Sequence, residues 1–96
     1  MIIKFTDWTG SPPGKLAEVE LHFESADPLD GLKLIGFAVW ERRTGNGRTV
    51  TFPSRQYQVS GERRSFALLR PITDPEAATR LRDLILAAYD DHEAAR

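Results

Sequence analysis

The sequence predicts an α+β fold, in which an antiparallel sheet of about four to five strands is covered by one C-terminal α-helix. Three observations predict this class. Apolar and polar residues alternate in the first half of the chain, Gly, Pro and Asn residues separate the apolar runs, and apolar residues recur at helical spacing after residue 73. The length of 96 residues fits a single domain over residues 1–96.

The first half of the chain contains the patterns of four strands. Their predicted ranges are 2–8, 15–23, 32–41 and 48–52. In the second range, Ala17, Val19 and Leu21 share one face with Phe23, whereas Leu16 falls out of phase. Asn46 and Gly47 form the strongest turn signal in the chain, because both residues tolerate positive φ. They predict a hairpin between the third and fourth strands.

Residues 32–41 are the most apolar stretch, and both of its faces are apolar, which is typical of a central strand. The alternation places Leu34 with Ala38 and Trp40 on one face, opposite Phe37. One helix covers only part of one sheet face, so apolar area is left over and we expect a homodimer. Trp8 and Trp40 are interpreted as core or dimer contacts, as tryptophans in strands usually are.

A proline follows the fourth strand and should end its pairing, because Pro53 has no backbone N–H to donate. We expect residues 53–64 to form a polar, flexible loop with Gly61 at its tip. Residues 65–72 are predicted to form the last strand, which stops at Pro71.

A helix is predicted after residue 73, capped by Asp74 with Pro75 at its first position. Thr73 with Glu76 offers a capping box as the alternative cap. The apolar side chains that recur on one face form the predicted packing stripe: Ala77, Leu81, Leu84, Ile85, Ala88 and His92.

Positive charge is concentrated in the middle of the chain. Residues 41–70 carry seven arginines against two glutamates, whereas residues 1–40 and 71–96 each have a net charge of −3. The arginine side chain is a planar fork suited to phosphate or carboxylate. A solvated hairpin rim is the plain alternative. Tyr57 either stacks on an unpaired base or packs on its own hairpin.

Other kinds of site find little support. The absence of cysteine excludes disulfides and thiolate metal sites. His22 with Glu20 and Glu24 is better explained as a solvated strand face than as a metal site. His92 with Asp90 and Asp91 lies near a fraying C-terminus, where a preformed acid–base site is hard to hold. The sequence shows neither a phosphate-binding glycine loop nor a nucleophile elbow. We therefore expect no enzyme activity, no cofactor and no metal. With no apolar run long enough to span a bilayer and no signal peptide, we expect a cytoplasmic location.

Several motifs in order resemble the SpoVG family of bacterial regulators, the stage V sporulation protein G or septation-protein family. The matching stretches are FPSR at 52–55, RPI at 70–72 and LILAAYDDH at 84–92. The resemblance covers about residues 14 to 92. It implies a SpoVG-like fold and a homodimer that binds DNA or RNA.

The sequence therefore favours a small bacterial nucleic-acid-binding regulatory protein that contacts the phosphate backbone. The alternative is a protein–protein adaptor that uses the same basic surface without catalysis. Membrane and small-molecule partners are not expected. The residues predicted to bind nucleic acid on one continuous surface are Arg42, Arg43, Arg48, Arg55, Tyr57, Arg63, Arg64 and Arg80.

Overall fold

A computed structural model describes residues 1–25, 28–42 and 47–96. Within these residues the chain forms six strands and one helix, and the predicted α+β class is confirmed. The elements are β1 (Ile2–Asp7), β2 (Lys15–His22), β3 (Lys33–Glu41), β4 (Arg48–Thr51), β5 (Ser54–Val59), β6 (Glu62–Ala67) and α1 (Glu76–Ala94). The turn residue Asn46 lies outside the described residues.

The first four strands form one antiparallel sheet in the order β1-β2-β3-β4, so each strand pairs with its neighbour in sequence. Strand β3 is an inner strand, as predicted, between β2 and β4. Glu41 pairs with Arg48 where the β3–β4 connection begins. The remaining strands, β5 and β6, pair only with each other and form a second, two-stranded sheet.

A bulge in β2 explains why Leu16 is out of phase. Lys15 pairs with Trp40 and Ala17 with Val39, so Leu16 is an extra residue against one step of β3. The bulge lets Ala17, Val19 and Leu21 point into the core, as their alternation predicts.

A second irregularity, in β3, overturns the predicted position of Leu34. Val19 pairs with Phe37 and Leu21 with Leu34, so Ile35 and Gly36 together lie opposite one residue of β2. Gly36 has φ +107°, which a residue with a Cβ rarely adopts. The extra residue returns Leu34 to the face of Phe37, where it packs against the core.

The core lies between one sheet face and α1. From the helix, Ile85 and Tyr89 are buried against Val39 and Val50. The predicted stripe is therefore partly wrong: Leu84 is half exposed, and Tyr89 holds the central position. The predicted stripe omitted Tyr89, because the tyrosine side chain carries a polar hydroxyl group as well as an apolar ring.

The helix begins one residue later than predicted, at Glu76, so Pro75 precedes the first helical residue. Asp74 nevertheless satisfies a free donor of the first turn, since its Oδ1 accepts the Glu76 N–H at 3.0 Å.

The sheet face away from α1 is largely polar. Threonine and glutamate side chains of β1, β2 and β4 alternate with the buried residues and point to this side. Trp40 lies here, half-buried, and its indole N–H donates to Thr51 Oγ1 at 2.9 Å. Trp8 is also half-buried, with Lys15 Nζ 4.0 Å from its ring centre. Neither tryptophan belongs to the core.

The structure also corrects residues 53–72. The predicted loop is an ordered hairpin, and the strand predicted at 65–72 runs instead from Glu62 to Ala67. Both of its strands are solvent-exposed along almost their whole length. We call this hairpin, residues 54–67, the ribbon. Within the described residues, no helix combines the length and apolarity needed to cross a membrane.

Candidate nucleic-acid interface

The ribbon is a regular two-residue hairpin. Arg55 pairs with Phe66, Tyr57 with Arg64, and Val59 with Glu62. The turn consists of Ser60 and Gly61, whose φ angles are +52° and +80°. A type I′ turn needs positive φ at both central residues, and it matches the twist of the strands it joins. Gly61 is therefore at the tip, as predicted.

The ribbon leaves the body at Pro53. This residue is buried beside Gly36 of the β3 bulge, and its carbonyl accepts the Leu68 N–H at 2.9 Å. Pro53 thus ends the pairing of β4, as the sequence indicates, and closes the base of the ribbon. The ribbon strands form no extensive packing with the sheet or helix. The radius of gyration, 14.9 Å, exceeds the value of about 12.5 Å typical of this chain length.

The two faces of the ribbon differ in chemistry. Because facing residues of a pair point to the same side, the register sorts the side chains into two sets. The aromatic face consists of Arg55, Tyr57, Val59, Glu62, Arg64 and Phe66. The polar face consists of Ser54, Gln56, Gln58, Arg63, Ser65 and Ala67.

The aromatic face alternates rings with guanidinium groups. The ring centres of Tyr57 and Phe66 are 5.6 Å apart, and each residue is 40% exposed. Each ring lies across the strand pair from an arginine, Arg64 for Tyr57 and Arg55 for Phe66. The packing of Tyr57 on its own hairpin, which was one of its two predicted roles, is thus present, but it leaves much of the ring open.

The ribbon is a positively charged segment of a negatively charged chain. Its three arginines and Glu62 give it a net charge of +2, and the rest of the chain therefore carries −3. Arg64 Nη2 lies 3.0 Å from Glu62 Oε2, with both side chains more than half exposed. Within the described residues, no carboxylate lies within ion-pair distance of Arg55 or Arg63. The ribbon thus offers at least two guanidinium groups to an outside anion.

Arg48, in contrast, is engaged inside the body. Its Nη2 lies 2.7 Å from a carboxylate oxygen of Glu93, and its Nη1 lies 3.4 Å from Asp90. The guanidinium also lies over the Tyr89 ring, 5.2 Å from its centre. The hydrogen bond that Arg48 donates to Glu93 raises the pKa of Arg48 above its ordinary value. Arg48 therefore joins β4 to α1.

The other predicted residues are dispersed. Arg80 Nη1 lies 2.8 Å from Asp74 Oδ2 at the start of α1, and that hydrogen bond lowers the pKa of Asp74. Arg42 is exposed at the end of β3, and Arg43 lies outside the described residues. Arg42 and Arg48 flank one end of β4, whereas the ribbon begins beyond the other end. The structure thus brings together Arg55, Tyr57 and Arg64, with Arg63 on the opposite face, and does not collect all eight residues into one patch.

Sequence reasoning missed Phe66 and Val59, which belong to the aromatic face. The signal was present in the alternation of Arg55, Tyr57 and Val59, followed by Ser60 and Gly61. Reading these residues as a hairpin would have placed Phe66 across from Arg55.

The histidines have partners, although no cluster of three or more metal-ligating side chains occurs in the described part of the chain. His22 Nε2 lies 2.9 Å from Glu20, and Lys33 reaches the same carboxylate at 3.3 Å. The His22 and Lys33 hydrogen bonds lower the pKa of Glu20. His92 Nε2 lies 3.0 Å from Asp7 Oδ1, which joins the end of α1 to β1.

Comparisons of the chain with protein-family models, with curated proteins and with solved structures found no match. The resemblance to the SpoVG family therefore stays a sequence-based prediction.

Proposed function

We propose that the protein is a small bacterial nucleic-acid-binding regulator that contacts the phosphate backbone of DNA or RNA through the ribbon. The observation that carries this proposal is the projecting, positively charged ribbon, on which Arg55 and Arg63 have no carboxylate partner in the described structure. Arginine side chains bind phosphate oxygens through parallel hydrogen bonds. The resemblance to the SpoVG family supports the same function, and the proposal includes no catalytic step.

The contacts are assigned to the ribbon arginines. Arg48 is left out because it donates to Glu93 and its side chain is only 32% exposed, and Arg80 is left out because it lies on α1 and not on the ribbon. The Arg64–Glu62 pair is a different case, since both side chains are exposed and such surface pairs contribute only about 0–1 kcal/mol. Arg64 can therefore exchange its carboxylate for a phosphate at little cost.

A homodimer remains part of the proposal. Exposed apolar side chains on the ribbon and next to it, such as Val59 and Leu68, support self-association. A dimer would double the number of ribbon arginines presented to one nucleic acid. Light scattering at micromolar concentration measures the mass directly, and a monomer there would remove this part of the proposal.

The salt dependence of binding tests the function. Fluorescence polarisation of labelled duplex DNA and of RNA, between 50 and 200 mM salt, gives log K against log salt. Three arginine contacts predict a slope of about −2.7 on duplex DNA for each chain bound. The Arg55→Ala, Arg63→Ala, Arg64→Ala triple variant should lose most of that slope.

A matched control is Arg82→Ala, which removes an arginine from α1 and should leave binding unchanged. Absence of binding at the lowest salt would contradict the proposal. So would a triple variant that binds as tightly as the unchanged protein.

The second candidate function is a protein–protein adaptor that uses the same basic surface. It is favoured by the exposed apolar side chains Tyr57, Val59 and Phe66 on the ribbon, because such patches mark protein contacts. Its signature is capture of an acidic protein after nuclease treatment, lost in the triple variant, together with no binding in the polarisation assay.

A further inference from the structure

The aromatic face of the ribbon has ring surface that the fold leaves uncovered. Tyr57 and Phe66 touch each other at 5.6 Å between ring centres, yet each stays 40% exposed, and neither contributes to the core. An aromatic ring usually buries most of its large apolar area. By comparison, Phe37 in β3 is only 1% exposed. The two open rings are therefore available to a flat apolar ligand.

The positions of the arginines narrow the class of ligand. Arg55 and Arg64 are the direct cross-strand neighbours of Phe66 and Tyr57, so each ring has a cation within one strand spacing. A ligand that matches this pattern carries flat apolar groups and negative charges at regular short intervals. Nucleic acid has this composition, with one base and one phosphate in each nucleotide.

Stacking of a side-chain ring on a base decides whether that base can belong to a duplex. Bases in a duplex are stacked on one another and present only their edges in the grooves. A side-chain ring stacks on a base only when that base is unstacked, as in single strands, loops and bulges. We infer that the aromatic face binds single-stranded nucleic acid, with Tyr57 and Phe66 stacking on unpaired bases and Arg55 and Arg64 contacting the adjacent phosphates.

This inference rests on the proposed function and makes it more specific. The competing mode uses the other side of the same ribbon. The polar face presents Gln56, Gln58 and Arg63, which are side chains that read base edges, and a two-stranded ribbon fits the major groove of a duplex. The two modes demand different ligands and different residues, so one set of variants separates them.

The experiment compares single-stranded and duplex oligonucleotides of the same sequence by polarisation at 100 mM salt. The Tyr57→Leu, Phe66→Leu variant keeps apolar side chains but removes the rings. It should weaken single-strand binding roughly 25-fold or more, since each stacked base contributes a factor of about 5 to 150. The matched Gln56→Ala, Gln58→Ala variant on the polar face should bind single strands as the unchanged protein does.

The salt slope provides a second measurement that a purely structural effect would not reproduce. Removing the rings should leave the slope unchanged, because no charge is lost. Arg55→Ala with Arg64→Ala should reduce it by about 1.4, at roughly 0.7 per contact on a single strand. Tyr57→Phe should retain full binding because stacking does not use the hydroxyl group. Circular dichroism and urea midpoints check that each variant is folded.

Each remaining outcome overturns the inference in a distinguishable way. Tighter binding to duplex, lost in the Gln56→Ala, Gln58→Ala variant, would assign the polar face and leave the proposed function standing. A ring variant that dissociates a dimer but keeps single-strand affinity would make the aromatic face a contact between two copies. If neither oligonucleotide binds, the proposed function fails together with the inference.

Discussion

The four-stranded sheet buries one side of its strands against α1, whereas the ribbon buries neither of its two sides. Both regions are antiparallel and both show alternating side chains. A two-stranded hairpin is only marginally stable in water without such burial. The ribbon must therefore depend on its turn and on its anchor at Pro53. Alternation thus predicts which side chains share a face, and it does not predict whether that face is covered.

The same contrast holds for charge. In the body, Arg48 bonds to Glu93 and Arg96 to Asp7, so these two arginines join the C-terminal part of the chain to β4 and β1. On the ribbon, the described structure provides a carboxylate partner for Arg64 alone. Arginine thus stabilises the body where acidic side chains lie nearby, and it stays open to solvent on the ribbon where they do not.

The sharpest test of the contrast compares two phenylalanines. Phe37→Ala removes a ring that is 1% exposed in the core, and it should lower the free energy of unfolding by about 3–5 kcal/mol. Phe66→Ala removes a ring on the ribbon and should lower it by less than about 1 kcal/mol. Urea unfolding followed by tryptophan fluorescence measures both. A loss for Phe66→Ala as large as for Phe37→Ala would show that the ribbon is part of the cooperative core.

The junction between the two regions gives the next largest effect. A Cβ at Gly36 would lie 2.8 Å from Pro53 Cβ, at a residue whose φ is already +107°. Gly36→Ala should therefore lower the free energy of unfolding by about 2–4 kcal/mol, through backbone strain and overpacking together. Hydrogen exchange should also be faster in β5 and β6, because displacing Pro53 loosens the base of the ribbon.

Gly31→Ala is the matched control for this junction. Gly31 has φ +85°, but a Cβ there would meet no atom within 4 Å. Gly31→Ala should lower the free energy of unfolding by only about 1–2 kcal/mol, from backbone strain alone. It should leave hydrogen exchange in the ribbon unchanged. Equal losses for the two glycine variants would mean that the Pro53 contact contributes nothing.

The sequence predicted best the parts that depend on local pattern. The alternation of Ala17, Val19 and Leu21 set the buried face of β2, and Pro53 marked the end of β4. Leu34 was assigned to the wrong face because a bulge at Gly36 shifts the phase. A bulge depends on the pairing with β2, which a single strand's pattern does not contain.

Long-range pairing limited the prediction of the candidate site in the same way. Arg48 and Glu93 are 45 residues apart, so their ion pair follows from how α1 crosses the sheet. Without that contact, Arg48 looked equivalent to Arg55. The Tyr57–Phe66 contact also needed the register of the ribbon, which the interpretation of 53–64 as a loop had discarded.

The smallest expected effect concerns the ion pairs at the end of the body, where Asp7 meets His92 and Arg96. The hydrogen bond from His92, with a smaller contribution from Arg96, holds the pKa of Asp7 below its ordinary value of 3.8. Because the folded-state pKa is the lower one, the stabilisation is present above pH 3.8 and is lost as the pH falls through the folded value.

The Asp7→Asn variant cannot titrate at this position, so its stability relative to the unchanged protein should depend on pH. Urea midpoints should differ by a constant amount at neutral pH, and the difference should shrink below pH 3.8. In a His92→Ala background most of this change should disappear, because the His92 hydrogen bond is the main cause of the shift. A difference that stays constant down to the acid limit of folding would show that the Asp7 cluster makes no net contribution to joining α1 and β1.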